Sequence, residues 1–470
     1  MGTIHEREPD LPVSTADSEA APPVQRTRWM TIVTSALATL VVAGELAMAA
    51  FTLPLIGAEF GVGEAATVWV LLAYQLPLAA FALSAGRWVD RIDTRLAFFG
   101  SLAGVAVTSA IAGLAPSFWV LLAMRPLQGL AAATYMAVYL PVIVASVRED
   151  QRARAVSYHA TVMLVGSVAE GPLGGLIADV FGWRAVFLVK VPLLALMIAL
   201  GYFTIPARRK MPNPPPADSI SRRSLLAEAI LAGIGLTALL LALQRVGQGW
   251  AVSVVLVVVA VISLGWWFRL PGSRPVIALI RHRTIGLSTL ALMLNASIIG
   301  LLVFSLPFFI SDVLHRGPGL QGGVLLCFVA AGALVAPIAG TLADRFGSTR
   351  VAAIGSAVIV IGLIPMVFLG SDAEPIDLFW RVAVLGAGMA LFNSPNLATI
   401  LNAAPQQRAG TVGGLSTVAR SVGTTLGPAV AAMAWSLQSG GVSGFRLAAV
   451  ILAGLTGVAF AALLGALRAA

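Results

Sequence analysis

The feature that most constrains this chain is a series of apolar windows, each about 18–25 residues long, that recurs through nearly its whole length. Wound as a helix, each window crosses a hydrocarbon core of ~30 Å, and no soluble domain of ordinary size fits between successive windows. Of the 470 residues, 58% are hydrophobic and only 11% charged, against about 25% charged in soluble domains. The sequence therefore predicts an all-α integral membrane protein with about fourteen transmembrane helices.

The net charge of +9 would suggest a nucleic-acid partner for a soluble protein. Here the basic residues fall in short loops between the windows, so they read as topology signals and no nucleic acid is expected. With Arg26 and Arg28 on the cytoplasmic side, that side also receives Arg87, Arg91, Arg95, Arg148, Arg152, Arg154, the cluster within 206–223, Arg269, Arg274, Arg281, Arg283, Arg345, Arg350 and Arg408. The opposite side receives chiefly Arg184 and Arg316. This asymmetry predicts a multi-pass protein of the plasma (inner) membrane with both termini cytoplasmic. Residues 1–29 are polar, acidic and proline-bearing, which predicts a disordered cytoplasmic tail rather than a signal peptide. Cys327 is the single cysteine, so a disulfide within the chain is excluded. His5, His159, His282 and His315 fall in the tail or near loops without metal-ligand spacing, and no metal or other cofactor is expected.

The chain repeats itself. GRWVDRIDTR at 86–95 recurs as GTLADRFGSTR at 340–350, with Gly86/Gly340, Asp90/Asp344 and Arg91/Arg345 each 254 residues apart. VGSVAEGP at 165–172 matches VGTTLGP at 422–428, which puts Gly171-Pro172 and Gly427-Pro428 256 residues apart. Two landmarks with nearly one offset indicate a duplicated bundle. Two six-helix repeats joined directly would be offset by roughly 180–200 residues, so two further spans fit between them. The expected organisation is a six-helix bundle at 30–205, a proline-stiffened cytoplasmic linker at 206–223, two inserted transmembrane helices at 224–271 and a second six-helix bundle at 284–468.

GRWVDRIDTR, RPLQG (125–129), EGPLGG (170–175), WRAVFLVKVP (183–192) and RSVGTTLGP (420–428) together resemble the fourteen-helix drug:proton antiporter family of the major facilitator superfamily, over about residues 30 to 468. The resemblance implies the major facilitator fold and alternating access. It also implies that the motif at Gly86, Asp90, Arg91 and Arg95, with its repeat at Asp344, Arg345 and Arg350, latches the two bundles on the cytoplasmic side. The chain departs from the family in the first span, where Glu45 and Ala50 stand in place of the usual Asp and Asn. Glu170 is an addition to a small-residue motif, and Lys190 replaces an uncharged polar residue.

Among the acidic residues only Glu45 and Glu170 lie deep within a span, with Glu228 near a cytoplasmic helix end. Helix rise places Glu45, Glu170 and Arg125 in one plane about 12–14 Å below the outer surface. A buried carboxyl beside an arginine is pulled both ways, neutral by desolvation and anionic by the guanidinium, so a change of water access would load or unload a proton. Glu45, Glu170 and Arg125 are thus the candidate proton-coupling group; the alternative is that each glutamate only satisfies Arg125 or a backbone group. Asp90 is expected to accept hydrogen bonds from the positive end of a helix starting near Gly410, while Arg91 and Arg95 hold the local turn. Gly166, Gly171, Pro172, Gly174 and Gly175 predict a domain-interface hinge or plain close packing. Arg420, about 10 residues into its helix, needs a partner or a watery cavity, whereas Lys190 is near enough to the outer end to snorkel. Asn295, Phe304, Phe308, Asn393 and Asn396 are candidate cavity-lining substrate contacts.

The function expected is a monomeric, proton-gradient-driven exporter of small amphipathic compounds, cationic ones included, working as an antiporter in the lipid bilayer. Export of a lipid or secreted metabolite, or proton-coupled uptake on the same fold, stays open. An intramembrane enzyme is disfavoured because no catalytic or metal-ligating cluster stands out.

Overall fold

The computed structural model describes residues 27–67, 69–205, 222–244, 250–316, 318–438 and 440–469. Residues 1–26 of the expected tail and 206–221 of the expected linker lie outside this set. At residues 27–29 the structure corrects the tail boundary. The first helix begins at Trp29, Thr27 Oγ1 donates to Gln151 Oε1 at 2.6 Å, and the Arg28 N–H donates to the Ser146 carbonyl at 2.9 Å.

Fourteen helices of 20 or more residues run through the described residues. The first bundle holds α1 (Trp29–Ala50, with a turn at Gly44), α2 (Trp69–Val89), α3 (Thr94–Gly113), α4 (Phe118–Ser146), α5 (Arg152–Phe181) and α6 (Trp183–Thr204). Next come α7 (Arg222–Gln244) and α8 (Trp250–Arg269). The second bundle holds α9 (Arg283–Val313), α10 (Pro318–Phe346), α11 (Ser348–Val367), α12 (Pro375–Ala403), α13 (Ala409–Leu437) and α14 (Gly441–Leu467). Eleven of them are long and apolar enough to cross a membrane by length and composition. The other three, α5, α7 and α13, are the helices that carry Glu170, Glu228 and Arg420, and the apolar run of α7 is confined to Ala227–Leu243. Polar side chains lower the hydropathy of these helices, and burial of Glu170 and Glu228 among other helices spares them the penalty of lipid exposure.

Each bundle has its own apolar interior. Val42, Phe98, Leu102, Tyr135, Val138 and Leu194 fill the first, and Leu292, Phe309, Ile359, Leu385, Phe392 and Leu452 fill the second. A third cluster joins the bundles through Leu83, Leu140, Ile143, Ile400, Val412 and Leu415, with Ala232 of α7 and Trp267 of α8 beside them.

The bundles close on each other at the end where the described chain starts and finishes. There the glycines of the 86–95 motif let backbones touch: Gly86 faces the Gly410 carbonyl and Gly410 faces that of Gly86, with no side chain between. Gly414 sits in the same way on Ala82, and Gly413 on Ala137. On the other flank Gly340 of α10 lies against Ser157 of α5, whose Oγ donates to the Ala336 carbonyl. Such close approach lets two helix surfaces pack by van der Waals contact alone. Adding a methyl here meets backbone that cannot yield, so Gly86→Ala should cost about 1–3 kcal/mol of stability. Thermal unfolding of the purified protein should show that loss, while Gly100→Ala, which faces open space, should unfold like the parent.

Candidate functional site

The turn at Gly44 interrupts α1, and Glu45 is the first residue after it. Its carboxylate is 1% exposed and lies between two cations: Oε1 accepts from Arg125 Nη1, and Oε2 from Lys190 Nζ at 2.5 Å. Arg125, fully buried on α4, also donates from Nε to the Val70 carbonyl at 2.6 Å and from Nη1 to Gln128 Oε1 at 2.7 Å. Gln128 in turn donates to Ser109 Oγ at 2.7 Å. The guanidinium lies 4.9 Å from the ring centre of Tyr74 and 5.5 Å from that of Phe187, whose face Lys190 shares at 5.2 Å. Ion pairing, charge-assisted hydrogen bonds and aromatic faces together offset the cost of hiding three charges from water.

Two expectations change. Lys190 does not snorkel: it is 1% exposed and points into the bundle, because α6 turns at Val189 and Glu45 waits on the inner side. Arg125 is paired with Glu45, and Glu170 stands apart from it. The Glu170 carboxyl fills the slot over Gly44 where a side chain would otherwise project, within electrostatic range of Lys190 and Glu45. Sequence depth brought Glu45, Glu170 and Arg125 to one level, and the fold adds Lys190 to the group.

Gly174 and Gly175 of α5 pack inside their own bundle rather than at the domain interface. Gly174 faces Met48 of α1 and Gly175 faces Phe51, just past its end; cross-bundle contacts of α5 among the described residues include Arg154 and Ser157, nearer its start. The helix also runs through Gly166, Gly171 and Pro172, whose side-chain surroundings lie outside the described residues. In the second bundle Gly300 of α9 faces Gly427 and Pro428 of α13.

At the closed end Asp90 spans the bundles. Its Oδ1 accepts from the Gly410 N–H at 2.6 Å, and its Oδ2 from the Thr411 N–H at 2.8 Å and the Thr411 hydroxyl. These are orphan donors of the first turn of α13, and the macrodipole adds to the attraction. The repeat makes the reciprocal contact: Asp344 of α10 lies at the start of α5, 3.6 Å from Arg154 Nε and within electrostatic range of the Ala153 and Arg154 backbone. The turn after α2 is held by Asp93, which accepts from the N–H groups of Arg95 and Leu96, rather than by Arg91 and Arg95. Arg95 instead donates to the Tyr202 carbonyl at 2.5 Å and covers the Tyr202 ring, while Arg91, Arg345 and Arg350 are exposed.

The candidate substrate contacts divide. Asn295 and Asn396 are fully buried ties within the second bundle, to Ser356 at 3.1 Å and to the Ser288 carbonyl at 3.1 Å, so they are corrected from cavity lining to internal structure. Their amides face neighbouring helices, which depth alone did not reveal. Phe308 is 44% exposed and meets Phe304 at 5.0 Å and Trp435 at 5.7 Å, and Asn393 is half-buried. Phe304 lies in a π-helical stretch of α9, Leu301–Ser305, a local widening that often marks functional segments. Arg420 is exposed on α13, within electrostatic range of Tyr139 of α4 in the other bundle. His159 is not near a loop surface: it is 3% exposed, its Nε2 lies 2.8 Å from Thr39 Oγ1, and its ring stacks on Tyr139 at 4.9 Å. Its position only 8 residues into a helix hid it; the two tyrosines one helical turn apart at 135 and 139 were the available signal.

Two helical bundles that meet through helix ends at one face, with charges sequestered inside one of them, have the architecture of a multi-pass membrane transporter. The Major Facilitator Superfamily model matches residues 35–428 and again 285–469, and the chain belongs to that superfamily. It is 27% identical over 417 residues to the multidrug resistance protein Stp of Mycobacterium tuberculosis, covering 87% of this chain and 76% of that one. It is 28% identical over 424 residues to the multidrug efflux pump LfrA of Mycolicibacterium smegmatis, covering 87% and 82%. Its fold is like that of the human organic anion transporter MFSD10 (TETRAN), with a TM-score of 0.63 at 15% identity over 93% and 97% of the two chains.

Removing one member of a buried pair strands the others, so Glu45→Gln should destabilise the protein by about 3–5 kcal/mol, read by thermal or chemical unfolding. Asp90 supplies a pH test. Burial pushes its pKa up from 3.8 to about 6, outweighing the hydrogen bonds from Thr411 and Gly410 and the charge of Arg408. A carboxyl with the higher pKa in the closed arrangement binds a proton on closing. Its contribution is therefore full below about pH 4 and lost as pH rises through 6. Lowering the pH from 7 to 5 should raise the closed-to-open ratio about tenfold, read by distances between spin labels on the ends of α2 and α13, and Asp90→Asn should flatten that response.

Proposed function

We propose that this protein is a proton-coupled exporter of amphipathic drugs or other toxic compounds, an antiporter of the fourteen-helix drug:proton type in the plasma membrane. Its termini and the closed end face the cytoplasm, so the arrangement described is the outward-facing one. The names of Stp and LfrA support multidrug export. The basic residues that gather on the side of the termini support the orientation.

The observation that carries proton coupling is the grouping of Glu45, Arg125, Lys190 and Glu170 at the turn of α1. Glu45 is committed to two cations and serves as the anchor. Glu170 sits against bare backbone at the edge of the group, and we assign it the proton. With Glu170 ionised the four charges balance; with Glu170 neutral the group carries one excess positive charge, which repels a cationic substrate and favours its release. Protonation from outside and deprotonation toward the cytoplasm would then alternate with substrate binding as the bundles rock. One proton moving down about 100 mV supplies ~2.3 kcal/mol, enough for a roughly 40-fold gradient of a neutral compound.

Proteoliposomes loaded with a pH dye test this. The parent should release protons when substrate is added, and Glu170→Gln should abolish that release while still binding substrate. Undiminished release from a folded Glu170→Gln protein would refute the assignment.

A further inference from the structure

The two helices between the bundles, α7 and α8, have no part in the coupling group or in the latch described above. One side chain of α7 nonetheless lies deep in the fold. Glu228 is 1% exposed, and its Oε2 accepts from Nη1 of Arg87, itself 6% exposed on α2. Arg87 occupies the second position of the 86–95 motif. It directly follows Gly86, whose backbone lies on Gly410, and it precedes by three residues Asp90, which holds the first turn of α13. The pair is single-ended, since Arg87 Nη2 and Glu228 Oε1 have no hydrogen-bond partner among the described residues.

The apolar contacts of α7 point to the same place. Gly233 lets α7 lie close to Phe81 and Ala80 of α2. Farther along, Leu240 and Leu241 pack with Leu72, Leu76 and Ala79 of α2 and with Val422 of α13. The inserted helix therefore lines the seam between the bundles and touches both. Its contact with α13 is apolar and can slide. Its contact with α2 is fastened by a charge pair hidden from water, and breaking such a pair without replacing the partner is strongly unfavourable.

From this juxtaposition we infer that Glu228 is a positioning residue for the cytoplasmic latch, and that the inserted pair travels with α2 as part of the gate. Glu228 fixes the Arg87 guanidinium, and with it the rotation of the last turn of α2. That rotation sets whether Gly86 meets the Gly410 backbone and whether Asp90 reaches the Gly410 and Thr411 N–H groups. An Arg87 left unpaired would turn toward water or headgroups at the membrane edge and take the end of α2 with it. The inference rests on the alternating-access reading above but not on the identity of the proton carrier or substrate.

The full-length protein in nanodiscs, spin-labelled at the ends of α2 and α13, provides the measurement, beside transport in vesicles. Glu228→Gln should remain folded and reduce the closed population at least tenfold, with a matching fall in turnover. The exchange Arg87→Glu/Glu228→Arg should restore the closed population to within about threefold of the parent, and Glu228→Asp should fall between. A folded Glu228→Gln protein with an unchanged closed population overturns the inference. So does a folded exchange variant that stays as open as the single one. If Glu228→Gln does not fold, the exchange variant decides: closure supports the pairing, and a folded protein that fails to close refutes it. Glu170→Gln serves as the separating control, because loss of proton release there with the latch population unchanged leaves the two readings independent.

Discussion

The arrangement depends on keeping charge away from hydrocarbon. Glu45, Arg125 and Lys190 sit where water is scarce, and each is tolerated because the others are there. Satisfying them takes a carboxylate on α1, a guanidinium on α4 and an ammonium on α6, and so three helices of one bundle are fixed in rotation as well as in depth. Tyr74 and Phe187 present their ring faces to the cations, and Gln128 passes the network on to Ser109 on α3. The first bundle is thus tied together around its polar centre.

The closed end is held by different chemistry. Asp90 and Asp344 each dock on the first turn of a helix in the opposite bundle, and glycines allow the backbones around them to touch. Hydrogen bonds to helix ends and bare van der Waals contact leave no buried unpaired charge when they separate, because water replaces the carboxylate at each helix end. The two docking contacts follow the internal repeat, so the latch has the approximate twofold symmetry of the duplication.

What the sequence made legible was depth, and what it hid was direction. A rise of about 1.5 Å per residue puts Glu45, Arg125 and Glu170 on one level without a structure. The same arithmetic cannot say which way a side chain leaves its helix, and that decided Lys190, Asn295 and Asn396, all of which turn toward neighbouring helices. Asp90 was placed correctly beside Gly410 because a helix start advertises its unpaired N–H groups whichever way it faces. Glu228 lies close to a helix end, where a carboxylate is ordinarily wet, and Arg87 carries the charge that marks a cytoplasmic loop, so spacing alone does not reveal that the two pair. Nearness to a loop likewise hides His159, whose face is turned inward to Thr39 and Tyr139. The repeat is readable because it is written in spacing along the chain.

The crossing of α1 with α5 and its counterpart, α9 with α13, carry different cargo in one shared niche. In one half the niche over Gly44 admits a carboxyl, and in the other the niche over Gly300 admits main chain alone. The residues at 44 and 170 are sterically linked: the carboxyl of Glu170 occupies the space a side chain at 44 would need, and a bulkier residue there would displace it. Duplication supplied two matching crossings, and at this one point a carboxyl fills the niche of the first half where the second holds only main chain.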